Sequence, residues 1–176
     1  MKRFTNMILV ACLIAATRVA SYGEDWTITP GQSVGPVKLG MRLTEVEASS
    51  KLLPGGTGSL IRKDTQTTFT PKGQMKIVYT RYGGIEVQWD PRAVQIIVTQ
   101  PKTTTAQGRS VNLVGPGGVR VGSSLQDMEQ ALGRTYESRE LKPQKGVYMY
   151  RYLDKNIGCV VKGGKVVSIN IWPGKQ

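Results

Sequence analysis

Hydrophobic and polar positions alternate along two well-separated stretches of the chain. Met75 to Tyr82, Ile85 to Trp89 and Val94 to Thr99 carry β-branched and aromatic residues at every second position, with Gly83-Gly84 and Asp90-Pro91 between them. Alternation bounded by turn residues predicts strands in hairpins. Val147 to Leu153, Ile157 to Val161 and Val166 to Trp172 repeat the pattern, with turns at Asp154-Lys-Asn156 and Gly163-Gly164. A helical period precedes each set. Leu125, Met128 and Leu132 share one helical face, Ser124 and Asp127 make a capping box, and Gly133 supplies a stop. The earlier helix is expected on Leu43, Val46 and Leu52-Leu53, with Thr44 and Glu47 as its box and Pro54-Gly-Gly as its stop.

The two stretches align. Gly40 falls on Gly122, Leu43 on Leu125, Val46 on Met128, Arg81-Tyr82 on Arg151-Tyr152, and Ile85-Glu-Val87 on Ile157-Gly-Cys159. Helices ahead of antiparallel strands, twice over, predict an α+β fold. The expected architecture is two tandem modules, each a short helical segment packed on a small antiparallel β-sheet. The first module is placed at 26–101 and the second at 112–174. A polar, Thr-rich linker is expected at 102–111, although Val111 to Val114 has the composition of a short docking strand.

The beginning of the chain adds an address. Lys2 and Arg3 precede an apolar run from Met7 to Ala16, and small residues follow up to Gly23. This is the layout of a secretory signal peptide over 1–23, and the run is too short for a transmembrane helix. Leu9-Val10-Ala11-Cys12 also fits a lipobox, which would leave the chain lipid-anchored through Cys12. The signal-peptide reading is the one adopted, with a secreted or periplasmic location expected and the lipid anchor through Cys12 as the alternative. Removal of the leader leaves 21 basic and 12 acidic residues, a net charge of +9, and Cys159 as the remaining thiol. In its apolar run that thiol is expected to be buried.

Composition narrows the chemistry. The chain has no histidine, which removes the usual general base and metal ligand. Its close carboxylates, such as Asp127 with Glu129, sit near helix starts, where they favour the helix dipole. The glycine-rich stretches lack the spacing of a phosphate loop. The expectation is therefore no catalytic residue, no metal and no cofactor. Binding is better supplied. Tyr148, Tyr150 and Tyr152 share one face of a strand, and Arg151 lies on the other. The tyrosines either pack as core or form an exposed stripe that Trp172 extends across the sheet. In the second case Tyr148, Tyr150, Arg151, Tyr152 and Trp172 are the contact set for a protein partner. Lys142, Lys145, Lys155, Lys162 and Lys165 form the densest basic group and point to an anionic polymer. A dedicated nucleic-acid motif is lacking.

Val119 to Gly133, the tyrosine-rich strand and Lys165-Val-Val-Ser-Ile169 together resemble the SmpA/OmlA (BamE) family of envelope modules. Two such modules in tandem are similar in layout to the β-lactamase inhibitory proteins. The resemblance implies a helical pair on a small sheet in each half, and a concave surface that grips another protein. It thus implies a non-catalytic, exported binding protein, whose partner is an inhibited enzyme or an assembly complex. The alternative is an adaptor that binds an anionic envelope polymer through its basic surface.

Overall fold

The structure, a computed structural model, describes residues 25–48, 62–70, 73–105 and 109–174. The elements in chain order are β1 (Asp25–Thr29), β2 (Ser33–Val34), β3 (Val37–Lys38), α1 (Leu43–Ala48), β4 (Arg62–Thr70), β5 (Gly73–Tyr82), β6 (Ile85–Asp90) and β7 (Arg92–Val98). There follow β8 (Lys102–Thr104), β9 (Ser110–Val114), a 3-10 turn (Pro116–Gly118), α2 (Leu125–Leu132), β10 (Glu137–Glu140), β11 (Val147–Tyr152), β12 (Ile157–Lys162) and β13 (Lys165–Ile171). The expected leader, with Cys12, and the Leu52-Leu53 part of the first helix lie outside the described residues.

The six strands expected from alternation are present, but their assembly differs from the α+β expectation. β4 to β7 form one antiparallel meander and β10 to β13 another. The two meanders join edge to edge. Ile169 pairs with Val98, Asn170 with Ile97 and Ile171 with Ile96, so β13 and β7 fuse them into one eight-stranded sheet. The order is β10-β11-β12-β13-β7-β6-β5-β4. A second sheet, β3-β2-β1-β9-β8, brings the start of the described chain beside its middle, with β1 and β9 parallel. The stretch read as a linker carries β8 and the first residues of β9. The fold is thus mostly β, not two helix-on-sheet modules.

The physical reason lies in β7 and β13. Strands at a sheet edge are normally protected by charge, proline or a bulge. Ala93-Val-Gln-Ile-Ile-Val98 and Val166-Val-Ser-Ile-Asn-Ile171 carry no charged residue and no proline. As edges of separate sheets they would expose unpaired backbone along apolar strands. Joining them satisfies both. At the outer end β10 reads Glu-Ser-Arg-Glu and is exposed throughout, as a tolerated edge should be.

One face of the large sheet and the small sheet share a single core. Trp26, Ile28, Val34 and Val37 of the small sheet belong to the same buried cluster as Ile85, Val87, Ile96, Val98, Ile157, Cys159, Ile169 and Ile171. Each fully buried aliphatic side chain contributes about 1.5–3 kcal/mol. Helix α2 buries Met128 and Leu132, and α1 buries Val46, so the sheets dominate the stability.

The aligned positions make matching bonds. Gly40 N donates to Ala93 O at 2.8 Å, and Ala93 N donates to Met41 O at 2.9 Å. Gly122 N donates to Val166 O at 2.7 Å, and Val166 N donates to Ser123 O at 2.8 Å. Helix α2 has the expected capping box: Asp127 N donates to Ser124 Oγ at 3.0 Å, and Ser124 N donates to Asp127 Oδ2 at 3.1 Å. Helix α1 differs from expectation. It starts at Leu43, and Arg42 N donates to Glu45 Oε2 at 2.7 Å, two positions ahead of the expected Thr44 box. Arg42 has no side-chain oxygen to return the bond, so the box is half made.

Candidate functional site

Register decides which residues of the large sheet share a face. Tyr152 pairs with Ile157, which pairs with Ile171. Tyr150 pairs with Cys159, which pairs with Ile169. The tyrosines therefore stand on the core face with the isoleucines. Arg151 pairs with Gly158, and Gly158 with Asn170, which places these on the opposite face. Trp172 follows Ile171 and lies against Gly158, so it too takes the opposite face. The single stripe of Tyr148, Tyr150, Tyr152 and Trp172 is corrected: the tyrosines and the tryptophan are on opposite sides of the sheet.

The tyrosine side is mainly structural. Tyr152 is fully buried, and its hydroxyl donates to Gly133 O at 3.0 Å, closing the end of α2. Tyr136, which the sequence reading did not single out, packs edge-on against Tyr150 (centroids 4.9 Å apart) and Tyr152 (5.6 Å). Its hydroxyl donates to Glu129 Oε1 at 2.7 Å. That bond raises the Tyr136 pKa. Burial raises that of Tyr150, and that of Tyr152 well beyond the ordinary phenol value. Tyr148 alone of the strand's tyrosines is exposed, at 41%. Cys159 is fully buried beneath them, and burial pushes its thiol up to about 12.

The basic set divides. Lys142 and Lys145 lie in the β10–β11 turn, and Lys162 and Lys165 flank the β12–β13 turn. The up-and-down order of the strands puts those two turns at one end of the sheet. Lys155 is at the other end, in the β11–β12 turn. Its ammonium donates to Leu132 O and sits 5.7 Å from the Tyr152 ring centre. A cation at a helix C-terminus complements the dipole there, so Lys155 belongs to the α2 cap and leaves the polyanion group.

On the other face of the large sheet Gln88, Gln95, Met149, Arg151 and Trp172 are half-buried, while Ile77 and Asn170 are buried. The centre of this face is a groove of about 370 Å³ lined by Gln88, Val94, Gln95, Arg139, Met149, Arg151 and Trp172. Three features build it. Gly158 lacks a side chain where one would stand 3.1 Å from the Trp172 ring, so the indole rests on the backbone of β12. A glycine inside a strand commonly marks such a close approach. Arg151 lies 5.6 Å from the Trp172 ring centre and 3.8 Å from Glu137, so its guanidinium is held at the groove wall. Gln95 Nε2 donates to Asn170 Oδ1 at 3.4 Å, fixing the amide at the floor. Arg139 reaches the groove from β10 and makes no ion pair among the described residues.

Chemically the groove offers guanidinium and amide donors beside a flat indole and a thioether. No carboxylate lines it, and among the described residues no group of three or more Cys, Asp or Glu side chains converges as metal ligands would. Sequence parity in β11 had placed Arg151 on the face away from the tyrosines, and Met149 shares that face. Arg139, Gln88 and Gln95 were missed, because they come from strands whose neighbours were not known. Gly158 within an apolar strand was the readable signal. Comparison with protein-family models, curated proteins and solved structures finds no match to this chain.

Proposed function

We propose that this chain is an exported, non-catalytic binding protein that grips a protein partner through the open face of its eight-stranded sheet. The observation that supports this best is the contrast between the two faces. One is packed into a core; the other presents Trp172, Met149, Arg139 and Arg151 around a groove. Tryptophan, methionine and arginine are the side chains enriched at the centres of protein interfaces. The lack of histidine supports a binding role over acid–base chemistry. The basic leader and apolar run support export, and no helix among the described residues is long and apolar enough to cross a membrane.

One observation favours a second reading. Two turns at one end of the sheet present Lys142, Lys145, Lys162 and Lys165, a surface suited to an anionic envelope polymer. Affinity capture from the native envelope separates the two. Under the first reading Trp172→Ala abolishes capture of a discrete protein, and Lys162→Ala with Lys165→Ala has no effect. Capture that depends on the lysines, and vanishes at high salt, supports the polymer instead.

A further inference from the structure

Resting on the reading of the open face as the binding surface, we infer that its groove takes an acidic polypeptide segment. A carboxylate of that segment meets Arg139 and Arg151, and a neighbouring aromatic or aliphatic side chain packs on Trp172 and Met149. The inference is carried by the donor set. Every polar side chain at the centre of the groove can donate: the guanidiniums of Arg139 and Arg151 and the amides of Gln88 and Gln95. No aspartate or glutamate lines it. The glutamines can also accept, but the two guanidiniums cannot, so a ligand that meets them must bring acceptors, and planar guanidinium forks match carboxylates best. Glu137, paired with Arg151 across the strands, lies 3.8 Å from its guanidinium, while Arg139 has no ion pair among the described residues.

The size and floor choose a peptide over a bare polyanion. About 370 Å³ accommodates one or two side chains, and the indole and the Met149 thioether need an apolar group to cover them. An inorganic or sugar polymer has no such group to offer alongside each charge. A second copy of this chain is disfavoured, since a symmetric pairing would bring the same arginines face to face on a chain with a formal charge of +12. The glutamine amides supply bonds to an extended backbone beside the anchored side chains.

The test measures binding of a random glutamate–tyrosine copolymer to the full chain by fluorescence anisotropy, against polyglutamate and inorganic polyphosphate at matched charge. The copolymer should bind about tenfold more tightly than either comparison polymer, in line with one buried aromatic anchor. Trp172→Ala and Arg139→Glu should each remove about that factor. Arg139 is exposed and without an ion pair among the described residues, so Arg139→Glu keeps the test sound should Trp172→Ala disturb the fold. Lys162→Glu with Lys165→Glu should change copolymer binding less than about threefold. Polyphosphate or polyglutamate binding as tightly as the copolymer would overturn the inference, as would a self-association that Arg139→Glu strengthens. If the copolymer shows no preference while Trp172→Ala still abolishes capture from the envelope, the acidic-peptide inference falls and the open-face reading stands. Loss of both results removes both.

Discussion

Replacing Tyr152 with Ala separates the packed face of the sheet from the open one. Tyr152 is fully buried; its ring meets Tyr136 edge-on at 5.6 Å, and its hydroxyl satisfies Gly133 O at 3.0 Å. Truncating a buried aromatic leaves a cavity and costs about 3–5 kcal/mol. Within that, the aromatic pair accounts for about 0.5–1.5 kcal/mol. Tyr152→Phe keeps the ring and removes only the hydroxyl. Gly133 is exposed, so water can replace the lost donor, and the cost should be about 0.5–1.5 kcal/mol. For a chain of this size each kcal/mol lowers the melting temperature by about 2–4 °C. Tyr152→Ala should therefore melt about 6–20 °C below the parent, and Tyr152→Phe about 1–6 °C below it. Trp172→Ala, on the groove face, should cost less than about 2 kcal/mol. Thermal melts and urea titrations of the three variants, with the urea slope checked for constancy, measure the differences. A Tyr152→Ala melt within about 2 °C of the parent, or a Trp172→Ala loss as large as that of Tyr152→Ala, would refute the assignment of faces.

Other outcomes follow from the same contacts. Gly158→Val puts a branched side chain where Trp172 rests; acrylamide quenching of tryptophan fluorescence should rise, since Trp26 and Trp89 stay in the core. Ser124→Ala should lower stability by about 1 kcal/mol through loss of the α2 cap. The bond to Ser124 lowers the Asp127 pKa below its ordinary 3.8, so that carboxylate's contribution is present above this value and disappears as pH falls through it. Melting temperatures of Asp127→Asn and the parent should therefore converge in strong acid. Cys159 should resist a thiol reagent in the native state and react once denatured. Its thiol is raised from 9.0 to about 12, so its contribution to stability is complete below pH 9 and is lost as pH climbs toward 12; Cys159→Ala should flatten that alkaline decline.

The strands β5 to β7 and β11 to β13, the α2 cap and the burial of Cys159 were legible because each is written in neighbouring residues. Alternation marks a strand locally, and Ser124 with Asp127 marks a helix start within one turn. What a sequence of this kind does not write locally is which edges meet. The pairing of β7 with β13 spans more than seventy residues, and its trace is negative: beyond Arg92 and Lys165 at their first positions, neither strand carries a charge that would guard an edge. Reading that lack would have predicted a fused sheet. The mistaken stripe has the same origin. Parity within β11 and within β13 was read correctly, yet the two strands were combined without the register through β12. The short Asp154–Asn156 turn places Tyr152 opposite Ile157, which fixes the tyrosines on the isoleucine face. Helix α1 was misplaced because Arg42 cannot cap through its side chain and so gives no cap signal in the sequence.

The most direct test of the account is photo-crosslinking in the native host. A benzophenone-bearing residue is placed at Gln95, on the floor of the open face, and in a second strain at Gln126, on the exposed side of α2. The account predicts that Gln95 yields a crosslink to a discrete protein partner, lost in the Trp172→Ala background, and that Gln126 yields none. Crosslinks to the same partner from Gln126, with none from Gln95, would contradict the claim that the open face of the sheet is the binding surface.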